Sequence, residues 1–193
     1  FRDGYVAKYD GYEVQHPSPI LSDIEFDIDG SLVLGLADRL GMQHGTAQAN
    51  PAGANRLYAV GSTGGDILRA YYTPGTDVLI LENNAKAGPI VGYGPNNSQG
   101  PGLGEFYNDN YTNVHTELAN GGLALRPGSG EVATTGVDVQ AFFSNGIRYL
   151  SNSTGLPTRN YTVYTSYTGS GGTSNPPANF TFNKGVGLGD LEV

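Results

Sequence analysis

A chain of 193 residues is long enough to bury a real core within one domain. Its formal net charge of -8, on few charged residues, argues against nucleic acid and anionic membranes as partners. Cysteine is absent, which excludes a disulfide framework, a zinc–thiolate cluster and a thiol nucleophile, and no apolar run approaches the roughly 20 residues of a membrane-crossing helix.

Thirty Gly and thirteen Tyr, among many Asn, Ser and Thr, read as short strands joined by tight turns. No segment sustains a 3.6-residue period, so the expected class is all-β, one domain over residues 1–193. Residue 1 is Phe and no signal-peptide pattern opens the chain, so the expectation is a processed piece of a longer surface protein.

Near the start, "DGYVAKYDGYEV" alternates Tyr5, Ala7 and Tyr9 in the manner of a strand. Residues 22–41, "SDIEFDIDGSLVLGLADRLG", read as a hairpin. Asp23, Glu25 and Asp27 alternate with Ile24, Phe26 and Ile28, the period of a half-buried strand. A two-residue turn at Asp29-Gly30 would set acids on the face of the leucines. A three-residue loop, Ile28-Asp29-Gly30, instead sets Phe26 opposite Leu32 and Ile24 opposite Leu34, with Gly30 at positive φ in a G1 bulge. Burial selects register, so the second arrangement is predicted, with the apolar face inward and the acids beside Ser31, Val33, Gly35 and Ala37. The acid row then reads as a solvated or ion-paired face, relieved by Arg39 or by a cation. Asp27 and Asp29, in the form D-x-D-G, are the candidate calcium ligands. The twelfth position from Asp27 is Asp38 and leucines fill the positions between, so this is not an EF-hand.

"GDILRAYY" from Gly65 is answered by "DVLILEN" after a Pro74-Gly75 turn. Residues 83–113, rich in Gly, Pro and Asn, read as a long inserted loop. "GGLALRPGSGEVATTGVDV" from Gly121, "NGIRYLSNSTG" and "NYTVYTSYTG" continue the strand pattern. The closing "LGDLEV" at 188–193 echoes "LSDIEF" at 21–26, at a separation of about four times a 40–45-residue propeller blade. Starts near 22, 65 and 121 therefore suggest a propeller-like array of about four blades, one carrying the 83–113 insertion; a β-sandwich is the alternative. The repeated final segment is expected to be a strand that pairs within the chain, near residues 1–14, or with the next subunit.

Taken together, "SDIEFDIDGSLVLGLADRLGMQHG", "GGDILRAY", "QGPGLGEFY", "GGLALRPGSGEV" and "VGLGDLE" resemble segments of large exported bacterial surface proteins. In those proteins a propeller-like region sits beside SdrD B-like modules. The resemblance runs from about residue 19 to the end. It implies secretion and a cell-surface or matrix setting, and it brings no catalytic residues.

Candidate chemistry is sparse. Glu105 and Asp109 flank aromatics in "GEFYNDN", and Glu117 follows His115; paired carboxylates of this kind serve glycoside hydrolysis. Nothing in their spacing makes them converge, and there is no Trp to stack a sugar. His16, His44 and His115 lack metal-ligand spacing, and Ser18, Ser129 and Ser144 sit in no nucleophile elbow. The glycine clusters at 61–65 and 100–104 lack a phosphate-loop lysine and read as turns. Asn-x-Ser/Thr sequons at Asn96, Asn110, Asn152, Asn160 and Asn179 are candidate glycosylation sites.

The reading is a non-catalytic, secreted surface or matrix module with a structural or adhesive role, self-assembling into a layer or filament. Its partners are other copies, neighbouring domains or glycans, and no catalytic residues or obligatory cofactor are assigned. A calcium-dependent carbohydrate-binding domain is the alternative, and a polysaccharide-active enzyme comes third.

Overall fold

The computed structural model describes residues 6–9, 12–15, 18–39, 42, 46–49, 57–59, 65–111, 116–141, 144–165 and 188–193. The protein is all-β. Among the described residues no helix is long and apolar enough to cross a membrane.

Among the described residues, two four-stranded antiparallel sheets organise the chain. The first takes β3 (Pro19–Phe26), β4 (Leu32–Asp38), β7 (Asp66–Thr73) and β8 (Val78–Leu81) in the order β3-β4-β7-β8. The second takes β11 (Ala119–Ala124), β12 (Glu131–Val137), β13 (Ser144–Ser151) and β14 (Pro157–Thr165) in sequence order. The described residues also form three two-stranded pairs: β1 (Val6–Tyr9) with β2 (Tyr12–Gln15), β5 (Thr46–Ala49) with β6 (Leu57–Ala59), and β9 (Lys86–Ala87) with β10 (Ile90–Val91). The hairpins expected to open separate blades near 22 and 65 lie side by side in one sheet. The recurring unit is thus a hairpin, two of which make a sheet, and the spacing between them does not count blades.

The predicted register is found. Phe26 pairs with Leu32, Glu25 with Val33 and Ile24 with Leu34. Gly30 has φ +83°, and the turn closes with Asp27 N–H on the Ser31 carbonyl at 2.8 Å and Gly30 N–H on the Asp27 carbonyl at 3.0 Å. One residue is bulged between Leu21 and Asp23. The Oγ of Ser22 donates towards the Gly35 and Gly121 carbonyls, at 3.0 and 2.9 Å.

The faces are the reverse of those expected. Ser31, Val33, Gly35 and Ala37 are buried, whereas Ile24 is 46% exposed and Phe26 62%. The cause is β11, which lies on the acid side of the first sheet. Its contact is so close that a Cβ on Gly35 would fall 2.2 Å from the Gly121 carbonyl oxygen. The core forms on that side from Val33, Ile67, Leu123, Leu125, Val132 and Leu150.

The segment expected as an inserted loop is part of that core. Ala87, Phe106 and Tyr107 are buried in it, with the Phe106 and Tyr107 rings edge-to-face at 4.9 Å. It is held by β9, β10, a 3-10 turn at Pro101–Leu103 and a bridge between Gly94 and Glu105. Residues 188–193 hold no strand. They run beside β11, where a Cβ on Gly122 would meet the Gly189 carbonyl oxygen at 2.5 Å. The pairing expected with the first residues is not made by β1, which pairs with β2.

Candidate cation site

The acid row of β3 does structural work. β11 is an edge strand, so its outward N–H groups need acceptors. Same-face residues on β3 recur at about 7 Å, the repeat of those N–H groups. Asp23 Oδ2 accepts from Leu123 N–H at 2.7 Å, and Glu25 accepts from Leu125 N–H. Burial raises the pKa of both, and Asp190 acts in the same direction on each.

Asp27, third in the row, enters a buried ring of polar side chains. Its Oδ2 accepts from Arg69 Nη2 at 3.0 Å and from Asn152 Nδ2 at 2.9 Å. The Tyr107 hydroxyl donates to Asn152 Oδ1 at 2.9 Å and accepts from Arg69 Nη1 at 3.2 Å. Asp29 Oδ2 stands 3.6 Å from the same guanidinium, and its Oδ1 accepts from Ser31 N–H. Arg69 thus sets one positive charge against the two candidate calcium ligands, Asp27 and Asp29. Arg39, the residue expected to relieve these acids, is exposed.

Among the sequons, Asn152 is buried with both ends of its amide engaged, which leaves no room for a glycan. The Asn110 amide donates to Gln99 and Glu105 and accepts from Glu117 N–H. Asn96 is exposed at φ +61° and Asn160 is half-buried. Asn179 and the three histidines lie outside the described residues.

The acids whose spacing gave no sign of convergence do converge. Glu105 and Asp109 from the core-packed connection, and Glu117 just before β11, meet Asp66 at the start of β7. One carboxylate oxygen from each of Asp66, Glu105 and Glu117 lies within 4.8 Å of the others. Glu105 is 1% exposed and Asp109 2%; Glu117 is half-buried and takes φ +57°. Glu105 Oε2 accepts from Asn97 Nδ2 at 3.2 Å and Asn110 Nδ2 at 3.4 Å, and Asp109 Oδ2 accepts from Ala119 N–H at 3.0 Å. Glu105 Oε1 and Asp109 Oδ1 face no donor. Arg148, whose charge reaches Asp109, spends its hydrogen bonds on the Asn110 and Asp138 carbonyls.

Such crowding favours protons or a cation. Burial, reinforced by Asp109, pushes the carboxyls of Glu105 and Glu117 well above the ordinary range. Burial and Asp66 push Asp109 to about 6 and the nearby Glu82 to about 9. Cation-free, the folded chain holds protons that the unfolded chain gives up near pH 4. The stability from these groups is therefore complete below about pH 4 and is lost as pH rises through the folded values. In chelator, the melting temperature is expected to fall between about pH 5 and pH 9, and Glu82→Gln is expected to flatten the upper part of the fall. A melting temperature that rose across that range would contradict this assignment.

A glycosidase pair stands about 5 to 9.5 Å apart across an open cleft. These oxygens lie within 4.8 Å of one another, with Asp66 and Glu105 buried and Glu117 half-buried.

No family model matches this chain. It is similar to three proteins of the eukaryote Dictyostelium discoideum. Colossin-A is 33% identical over 185 residues, covering 91% of this chain and 2% of colossin-A. Colossin-C is 30% identical over 181 residues, covering 91% and 16%. Colossin-B is 29% identical over 186 residues, covering 92% and 4%. The chain thus spans a small part of the length of each of these relatives, which are not bacterial. No solved structure matches.

Proposed function

We propose that this chain is a non-catalytic extracellular module with a structural role, which assembles through the outer face of its first sheet. The observation that carries the reading is that face: Ile24 and Phe26 on β3 and Leu79 and Leu81 on β8 are all more than two-fifths exposed. An apolar surface of that kind, on a sheet whose β4 and β7 supply core residues from the other side, is the signature of an interface. The similarity to colossins supports a module of a long chain, because it covers nearly all of this sequence and little of theirs. The resemblance of the motifs to exported surface proteins supports the extracellular setting. Contact between the two sheets through β11 favours a sandwich-like arrangement over a closed propeller ring. Asn96, exposed on its loop, is the sequon best placed to carry a glycan.

The test is hydrodynamic. A second copy offers the same apolar face, so the isolated chain is expected to self-associate reversibly, and Phe26→Glu is expected to leave a folded monomer. Sedimentation velocity over a concentration series checks both. A wild-type chain that stayed monomeric throughout would overturn self-assembly and assign the face to a neighbouring domain.

A further inference from the structure

We infer that Asp66, Glu105 and Glu117 bind one calcium ion, which locks the connection before β11 onto the first sheet. Calcium–oxygen bonds of about 2.3–2.6 Å place two ligands of one ion no more than about 5 Å apart. The three oxygens, mutually within 4.8 Å, meet that limit. The donors are all carboxylate oxygens, the set a hard cation selects, with no nitrogen or sulfur ligand to favour zinc or copper.

The independent observation is the state of Glu105. Its side chain is almost wholly buried, one oxygen is held by two amide donors, and the other meets no N–H donor. Asp109 repeats the pattern, with Ala119 N–H on one oxygen and no N–H donor on the other. Amide donors that fix one oxygen and leave its twin free are the usual outer shell of a metal ligand. Asp109 lies within hydrogen-bonding reach of Glu105, so it adds negative charge beside the ion or shares a proton when the ion is gone. Gln99, bonded to Glu117, belongs to the same outer shell. Half-buried Glu117 marks the side by which an ion enters. The site is separate from Asp27 and Asp29, which face Arg69, and independent of the apolar outer face.

The ion would join β7, the connection containing Glu105 and the approach to β11, each of which contributes one of the three carboxylates. The experiment is equilibrium dialysis and thermal melting of the whole chain, stripped with chelator and titrated with calcium chloride or magnesium chloride near pH 7.5. Binding of about one calcium per chain is expected, with a saturable rise in melting temperature and a weaker response to magnesium. Glu117→Gln, at a half-buried position that tolerates the change, is expected to weaken binding by at least about tenfold, as is Glu105→Gln. Glu131→Gln, at an exposed ion pair with Arg159, is expected to bind as the wild type does. Wild-type protein that bound no calcium at millimolar concentration, or a Glu117→Gln variant that folded and bound unchanged, would overturn the assignment; in the first case the carboxylates share protons instead.

Discussion

Arg69→Leu is expected to destabilise the protein by about 3–5 kcal/mol, because it strands a buried carboxylate. Arg69 is fully buried and stands against Asp27, whose side chain is 8% exposed. Removing the guanidinium leaves Asp27 with the Asn152 amide and the Ile28 N–H but no cation, and deprives the Tyr107 hydroxyl of its donor. The cost is that of an uncompensated charge and not the worth of the ion pair. Arg69→Leu with Asp27→Leu is therefore expected to recover much of the loss, since the double variant buries no unpaired charge. Arg69→Lys is expected to fall between, because one ammonium cannot serve Asp27 and Tyr107 with the same fork of donors. Urea denaturation of the variants separates these cases. A single variant within about 1 kcal/mol of the wild type would mean that the ring does not hold Asp27.

The hairpin from which Arg69 takes its partner shows how far local sequence reaches. Register was legible, because turn length and the position of Gly30 are local and admit only two pairings of Phe26 and Leu32. Facing was not. Alternation says that β3 has two unlike faces, and the ordinary rule turns the apolar one inward. Here the polar face goes in, because β11 brings N–H groups that match the carboxylate repeat and β7 brings a guanidinium. Those partners, at Leu123, Leu125 and Arg69, lie far along the chain, and no periodicity within residues 22–41 announces them. The same limit explains the blade count. Hairpins near 22 and 65 look like repeats, but whether two hairpins share a sheet depends on the pairing of β4 with β7, which the interval between them does not specify.

The candidate cation site was half visible. Glu105, Asp109 and Glu117 stand out as acids in a stretch of small and amide residues, and that density is the signal the sequence offered. Asp66 was hidden, since it reads as the first residue of an ordinary strand. What brings the four together is the burial of Phe106 and Tyr107, which pulls their segment into the core. A Gly, Pro and Asn-rich composition reads as an exposed loop, and two adjacent aromatics within it are the clue that it is not. One sequon fails for a related reason: Asn152 satisfies the pattern, yet its side chain closes a buried ring, and a three-residue motif carries no information on burial.

Gly35→Ala is expected to cost about 3 kcal/mol, although Gly35 needs no special backbone conformation. The reason is the approach of two backbones. The new Cβ would lie 2.2 Å from the Gly121 carbonyl oxygen and 3.0 Å from both the Gly121 carbonyl carbon and the Leu123 Cγ. An ordinary contact is about 3.5 Å, so β11 would have to retreat by about 1 Å. A flexible side chain could swing aside, but this carbonyl belongs to β11 and accepts from Ser22 Oγ. Retreat would also lengthen the bond from Leu123 N–H to Asp23, so the methyl group strains the packing and the acid row together. Gly65→Ala makes the same collision at the other end, 2.0 Å from the Ala119 carbonyl oxygen, and is expected to cost as much. Gly189→Ala is the control, because its Cβ would meet nothing within 4 Å. For a chain of this size about 3 kcal/mol corresponds to a fall of roughly 6–12 °C in melting temperature, which calorimetry resolves easily. Were Gly35→Ala to melt with the wild type while Gly189→Ala did too, β11 would not lie on β4, and the acids of β3 would have to find their hydrogen bonds elsewhere.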